Sequence, residues 1–233
     1  MFGKLVSTCK EAYGGQASTV GDLVTLKIDS KPVTVRCHKE IDGCGDGGWT
    51  PVMKINGHKK TFHYDSHRWT DKKEYNCPGG LTAFDKRETK LPTYWNTPFS
   101  KICLGMKTAK RTKFIVINKQ ADSLHSLIAD GKYRNTSLGR DTWKTLIGSK
   151  GSLQPHCNRE GFNAVSDKGS HSRARIGILG NNENDCKDCD SRIGFGTWGK
   201  PYKSITCGNT ASRWHGSDNG RRYIRAMGYI LVQ

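Results

Sequence analysis

The sequence predicts an α+β domain made mainly of antiparallel strands, with few short helices and long connecting loops. Val24-Thr-Leu-Lys-Ile28 and Val33-Thr-Val-Arg-Cys37 alternate apolar and polar residues in the two-residue period of strands, around the turn-forming Asp29-Ser-Lys-Pro32. Lys113-Phe-Ile-Val-Ile-Asn118 and Ala226-Met-Gly-Tyr-Ile-Leu-Val232 are apolar runs of strand length. Only 34% of the 233 residues are hydrophobic and the mean hydropathy is -0.68, which suits one economical core under many loops.

Taken in order, the first two runs form a hairpin bounded by Cys9 and Cys37, and a bridge between these cysteines would tie the N-terminal segment to the second strand. Gly43-Cys-Gly-Asp-Gly-Gly48 permits a sharp turn into a strand over Trp49 to Ile55, with the Trp49 indole as a core anchor. From Asn56 to Asn96 irregularly spaced aromatic residues predict loops wrapped over a sheet. The run at 113–118 is expected in the middle of that sheet. Asp141 to Ile147 reads as a short helix with Asp141 as cap and Gly148 as stop. Ala174 to Leu179 is a strand leading into an acidic segment, and 226–232 returns the C-terminus to the sheet.

The formal charge of +17 favours polyanionic partners, and its basic runs lie at Lys107 to Lys113, Arg173 to Arg175 and Arg221 to Arg225. No helix-turn-helix, zinc-finger or RNA-binding pattern accompanies this charge, so sulfated or carboxylated glycans fit better than nucleic acid. Nine cysteines without paired metal knuckles favour disulfides, an oxidising compartment and a secreted protein. The odd count leaves at least one thiol free or linking two chains into a homo-oligomer. No apolar run approaches the roughly 20 residues of a membrane span. Residues 1–8 read as a leader or remnant ahead of the domain, and Asn135-Thr-Ser137 is a glycosylation sequon consistent with export.

Asn181 to Asn209 lacks regular hydrophobic periodicity and holds Glu183, Asp185, Asp188 and Asp190 beside Cys186, Cys189 and Cys207. Crowded carboxylates are relieved by a hard cation with oxygen ligands, so Ca2+ is the expected cofactor, with Glu183 and Asp185 as principal side-chain ligands. The short closed loop suggests that Cys207 pairs with Cys186 or Cys189. Cys186-Lys-Asp-Cys189 lacks the second ligand pair of a zinc site and the βαβ context of a redox motif. Trp198, Tyr202, Trp214 and His215 form a candidate sugar-stacking wall, with Asn209 and Asp218 as polar ligands at the same mouth. His58, His63 and His67 cluster around Asp65, yet no hydrolase or metalloprotease motif is present, so no enzymatic activity is expected.

Cys9, the hairpin, Cys37 and Asp46-Gly-Gly-Trp-Thr50 together resemble the opening of fibrinogen-related domains. Phe62 to Trp69, Ile178 to Asp185 and Arg222 to Val232 are similar to later family segments, so the resemblance spans Cys9 to Gln233. Asn181-Asn-Glu183, Ile193-Gly-Phe-Gly196 and Cys207-Gly208 are closer to intelectins and to cnidarian secreted or skeletal-matrix fibrinogen-like proteins. The resemblance implies a fibrinogen C-terminal-like fold with a twisted central antiparallel sheet and a long loop-rich calcium and ligand subdomain. It implies the Cys9–Cys37 bridge and a single domain over 9–233, divided at 9–55, 56–179, 180–225 and 226–233. Two functions follow as expectations. One is a secreted, calcium-dependent lectin for anionic or acetylated glycans; the other is an extracellular or skeletal matrix protein that adheres to acidic macromolecules through its charge.

Overall fold

The computed structural model describes residues 5–14, 22–214 and 216–233. Helix α1 (Cys9–Gly14) is started by the Thr8 hydroxyl, which accepts from the Glu11 N–H at 3.1 Å. Strands β1 (Leu23–Ile28) and β2 (Lys31–Arg36) pair across Asp29 and Ser30, whose positive φ values of 49° and 64° suit the twist of a tight hairpin. Val24, Leu26 and Ile28 point inward and form a small core with Cys9, Ala12, Val35, Cys37 and Leu91. The Cys9–Cys37 disulfide closes this unit. Val6 packs against the same core and its carbonyl accepts from the Lys27 N–H; residues 1–4 lie outside the described residues.

The chain continues through β3 (His38–Ile41), β4 (Gly45–Asn56), β5 (Thr89–Lys90), α2 (Thr93–Asn96), β6 (Phe99–Thr108), β7 (Arg111–Ala121) and α3 (Leu124–Ile128). Then come β8 (Arg134–Asn135), α4 (Arg140–Thr145), β9 (His156–Val165), β10 (Arg173–Asn181), β11 (Ser191–Trp198), β12 (Cys207–Ala211), β13 (Arg222–Arg225) and β14 (Met227–Val232). Two antiparallel sheets result, ordered β3-β4-β14-β6-β7 and β13-β12-β11-β10-β9-β8. The expected α+β class, mostly antiparallel sheet with few short helices, is what forms. The main core draws on both sheets, through Val52, Leu104 and Ile230 from one and Phe162, Ile178 and Phe195 from the other; Tyr94, Leu127 and Trp143 of the helices join it.

The chain passes between the sheets at Ala226, whose N–H donates to the Cys207 carbonyl of one sheet while its own carbonyl accepts from Gly57. β14 then runs between β4 and β6, so the last strand is central. This position needs Gly228: a Cβ there would lie 2.6 Å from the Cys207 sulfur and 2.8 Å from the Phe195 ring.

Three expectations are corrected. β7, expected mid-sheet, is an edge strand, and only Ile115 and Ile117 of it are buried, because its flanking Arg111, Lys113 and Asn118 need water. Phe114 instead covers cross-strand Gly105, where a Cβ would meet the ring. The segment 181–209 is not one long loop, since it contains β11 and the start of β12. Glycines at 194 and 196 hide the strand period there, and Gly194 is needed because a Cβ would lie 3.0 Å from the Gly177 Cα of the neighbouring strand.

Third, Asp141 does not cap α4. The residue ahead of the helix is Gly139, at φ 86°, and Asp141 lies in the first turn. The carboxylate that organises this helix start comes from buried Glu160 on β9. It accepts from the Leu138 N–H at 2.6 Å, the Gly139 N–H at 2.8 Å and the Thr136 hydroxyl at 2.7 Å. Hydrogen bonds to a charged acceptor contribute about 1.5–3 kcal/mol each and are not additive. Glu160→Ala is therefore expected to lower the unfolding free energy by about 3 kcal/mol, with Glu160→Gln intermediate, as measured by urea denaturation.

Candidate functional site

The β6–β7 hairpin ends in a two-residue turn, with Ala109 at φ 51° and Thr108 paired to Arg111. That turn projects Lys110 and Arg111 toward the loop that follows α4 and toward β13. Between them lies a cavity of about 650 Å3, lined by Lys110, Arg111, Lys113, Lys150 and Arg225 over an apolar floor that includes Ile147 and Ile224. A second cavity of about 420 Å3 shares Ala109 and Arg225 with the first and adds His58, Lys86, Lys107 and Met227. Together they form one groove along the seam where the chain passes between the sheets.

No carboxylate lines either half of the groove. Elsewhere among the described residues cations are commonly matched: Lys54 with Asp85, Lys90 with Asp71, Arg134 with Asp130, Arg159 with Asp167 and Arg173 with Asp65. Two of the groove cations, Lys107 and Arg225, are held by neutral groups. Lys107 donates to the Phe84 carbonyl at 3.1 Å, and the Lys150 carbonyl is fixed by the Arg222 guanidinium. Arg225 donates to the Tyr223 hydroxyl at 2.7 Å and the Ser204 hydroxyl at 3.0 Å.

Arg225 also joins the groove to an aromatic platform. Its guanidinium lies 4.6 Å from the Tyr223 ring centre, Tyr223 meets Tyr202 edge-on at 4.7 Å, and Arg221 lies 4.9 Å from the Tyr202 centre. Tyr223 is exposed. The Ser204 hydroxyl, with the Arg225 and Arg221 charges, holds its phenol below the ordinary value. The basic runs at 107–113 and 221–225 thus meet in space. The run at 173–175 does not join them: Arg173 is paired to Asp65, and Arg175 is buried, donating to the Tyr64 carbonyl and the Asn163 side chain.

The expected sugar wall is dispersed. Asn209 is fully buried and cross-links the backbone of Ser152 and Arg192, so it faces no ligand. Asp218 binds the Lys144 ammonium at 2.7 Å, Arg140 at 3.2 Å and the Leu153 N–H at 3.0 Å, which makes it a brace for the loop after α4. Trp198 lies against His63, and Trp214 is exposed under Arg213. His215 lies outside the described residues. Among the described residues of this set, Tyr202 alone belongs to the cationic platform. The histidines at 58, 63 and 67 each make local contacts, with Asn56, the Asp65 N–H and Asp71.

In the acidic loop the four carboxylates engage separate partners. Asp188 pairs with Lys168, Asp185 accepts from Asn181 and the Lys187 N–H, and Glu183 accepts from Asn182. Asp190 lies 3.9 Å from His171. The carbonyls of Cys186, Lys187, Cys189 and Asp190 accept backbone N–H groups from residues 167, 168, 172 and 212, which tie the loop to the neighbouring segments. Among the described residues the one group of three ligating side chains is Cys157, Cys186 and Cys189.

The cysteine connectivity also differs from the expectation for Cys207. Cys186 is bonded to Cys157, Cys44 to Cys103, and Cys77, Cys189 and Cys207 are thiols. Cys207 is completely buried on β12 beneath Gly228, out of reach of the acidic loop, and burial raises its pKa. Burial pushes Cys189 up to about 11.

Comparison of the chain with protein-family models, curated proteins and solved structures found no match. The groove is therefore read from its own chemistry. Its cations come from four separate parts of the sequence, around 86, 107–113, 150 and 225, and Lys86 and Lys150 carried no local signal beyond the overall charge.

The brace at Asp218 has a pH signature. Burial raises its carboxyl pKa, but Lys144, the Leu153 N–H and Arg140 outweigh that and bring it below the ordinary 3.8. A carboxyl lowered on folding stabilises the fold above its unfolded pKa, and that contribution is lost as pH falls toward the folded value. Asp218→Asn should lower stability by about 1 kcal/mol at neutral pH and flatten the loss of stability below about pH 4, as measured by thermal unfolding against pH.

Proposed function

We propose that the protein binds acidic polysaccharides, sulfated chains above all, along the cationic groove and its Tyr202–Tyr223 platform. The observation that carries this reading is the groove's lining by Lys86, Lys107, Lys110, Arg111, Lys113, Lys150 and Arg225 with no lining carboxylate. Side chains of one sign around a concave surface raise the local concentration of a counter-charged polymer and hold it at several points. The apolar floor and the exposed Tyr223 ring offer surfaces to the C–H faces of sugar rings, while guanidiniums suit bidentate contact with sulfate or carboxylate.

Three disulfides fit an oxidising, extracellular setting, and among the described residues no helix is long and apolar enough to cross a membrane. This reading joins the two expected functions: the partner is a glycan, as for a lectin, and the force is charge, as for a matrix adhesive. Calcium has no role in it.

Calorimetric titration with a sulfated decasaccharide tests the proposal. Binding should weaken by about tenfold or more between 50 and 500 mM NaCl and survive EDTA. Lys110→Glu with Lys150→Glu should weaken it by about tenfold or more, whereas Lys39→Glu with Lys101→Glu, the same charge change outside the groove, should cost about twofold or less. Equal losses in the two double variants would reduce the groove to diffuse charge. Loss of binding in EDTA would return the site to a calcium-built pocket, and equal affinity for single-stranded DNA of matched charge would overturn the glycan assignment.

A further inference from the structure

We infer that the Cys157–Cys186 disulfide exchanges with the buried Cys189 thiol, so that the folded protein holds two disulfide connectivities and releases Cys186 as a modifiable thiol in the second. This is independent of the polysaccharide reading.

The three sulfurs lie within 4.8 Å of one another, and the Cys189 thiol contacts the Cys157 sulfur at 3.7 Å. Cys157 is bonded to Cys186, so the buried thiol touches one sulfur of an existing disulfide. Ala164, Ala174 and Leu179 pack around Cys189 as a small apolar satellite of the core, while Cys157 and Cys186 are only partly buried. The sulfur cluster sits at an irregularity in the sheet. The β9–β10 register shifts between Leu179 and Gly180, and Cys157 and Asn158 there have φ of 68° and 53°. The alternative Cys157–Cys189 bond closes a loop three residues longer than the present one, with separations of 32 and 29, so loop closure distinguishes the two connectivities very little.

The chemistry balances without an oxidant or reductant. Cys189 gives its proton to solvent and its sulfur bonds to the Cys157 sulfur. The Cys157–Cys186 bond breaks, and Cys186 leaves as a thiolate that takes up a proton. One disulfide and one thiol are present before and after. The buried attacking thiol is mostly protonated, which makes the exchange slow and sets the experiment on a scale of hours.

The test keeps the protein folded at pH 8 without reductant in the presence of iodoacetamide, followed by acid quench, non-reducing digestion and mass mapping. The expected result is a growing population in which Cys157 is linked to Cys189 and Cys186 is alkylated, with Cys9–Cys37 and Cys44–Cys103 unchanged. In Cys189→Ser, alkylation of Cys186 should fall by at least about tenfold. Cys186→Ser, folded oxidatively with glutathione disulfide, should form the Cys157–Cys189 bond and leave Cys77 and Cys207 as its only thiols among the described cysteines. A single Cys157–Cys186 connectivity at all times, equal Cys186 labelling in Cys189→Ser, or a folded Cys186→Ser protein with Cys157 and Cys189 both free would each overturn the inference.

Discussion

Residues 222–232 belong to both sheets, and most of the architecture follows from that shared membership. β13 completes the edge of one sheet, Ala226 carries the turn between the Cys207 and Gly57 backbones, and β14 fills the centre of the other sheet. A central strand buried on all sides must be the best packed, and Met227 to Val232 are buried without exception. Glycines at 57, 208 and 228 lie at the crossing because a Cβ at each would meet backbone or core atoms. Two sheets joined this way leave a re-entrant seam on the outside, and the cationic groove lies in it.

The charge of the chain is divided by this arrangement into two populations. One is structural. Lys54 and Lys90 are buried against Asp85 and Asp71, and fully buried Arg192 donates to the carbonyls of Gly199, Pro201 and Tyr202, which fastens the loop between β11 and β12. Removing one partner from such a site would leave an uncompensated charge or a set of unpaired carbonyls in the interior. The other population lines the seam, where a carbonyl holds Lys107 and a hydroxyl and an aromatic face hold Arg225, orienting each cation without neutralising it. Net charge by itself does not separate the two; the identity of each cation's partner does.

The acidic loop makes the converse point. Its carboxylates are close in sequence but diverge in space, toward Lys168, Asn181, Asn182 and His171. The hydrogen bonds of its backbone to residues 167–172 and 212 shape the loop, with the Cys157–Cys186 bond closing it. Clustering along the chain implies shared ligation only when the backbone turns the side chains inward, and here the turn is set by neighbouring strands.

Local pattern was enough for the antiparallel, helix-poor class, the β1–β2 hairpin, the return of the last strand and the two basic runs that form most of the groove. In each the signal is short-range: alternation, turn residues, or charges a few positions apart. It also placed Trp49 in the core, while the Cys9–Cys37 bridge followed from the family resemblance of the hairpin. It did not reveal β11 or β12, where glycine and buried polar residues replace the apolar half of the alternation. Nor did it distinguish the edge position of β7 from a central one, because its Phe-Ile-Val-Ile run is continuous in sequence while only Ile115 and Ile117 are buried and Phe114 and Val116 are partly exposed on the other face. The joining of Lys86, Lys107–Lys113, Lys150 and Arg225 into one groove, and the placing of Cys189 against Cys157 rather than Cys207, were decided by tertiary structure alone. Both depend on which strands pair and where the chain changes sheets, and strand pairing between distant segments leaves no trace in the residues on either side of a single position.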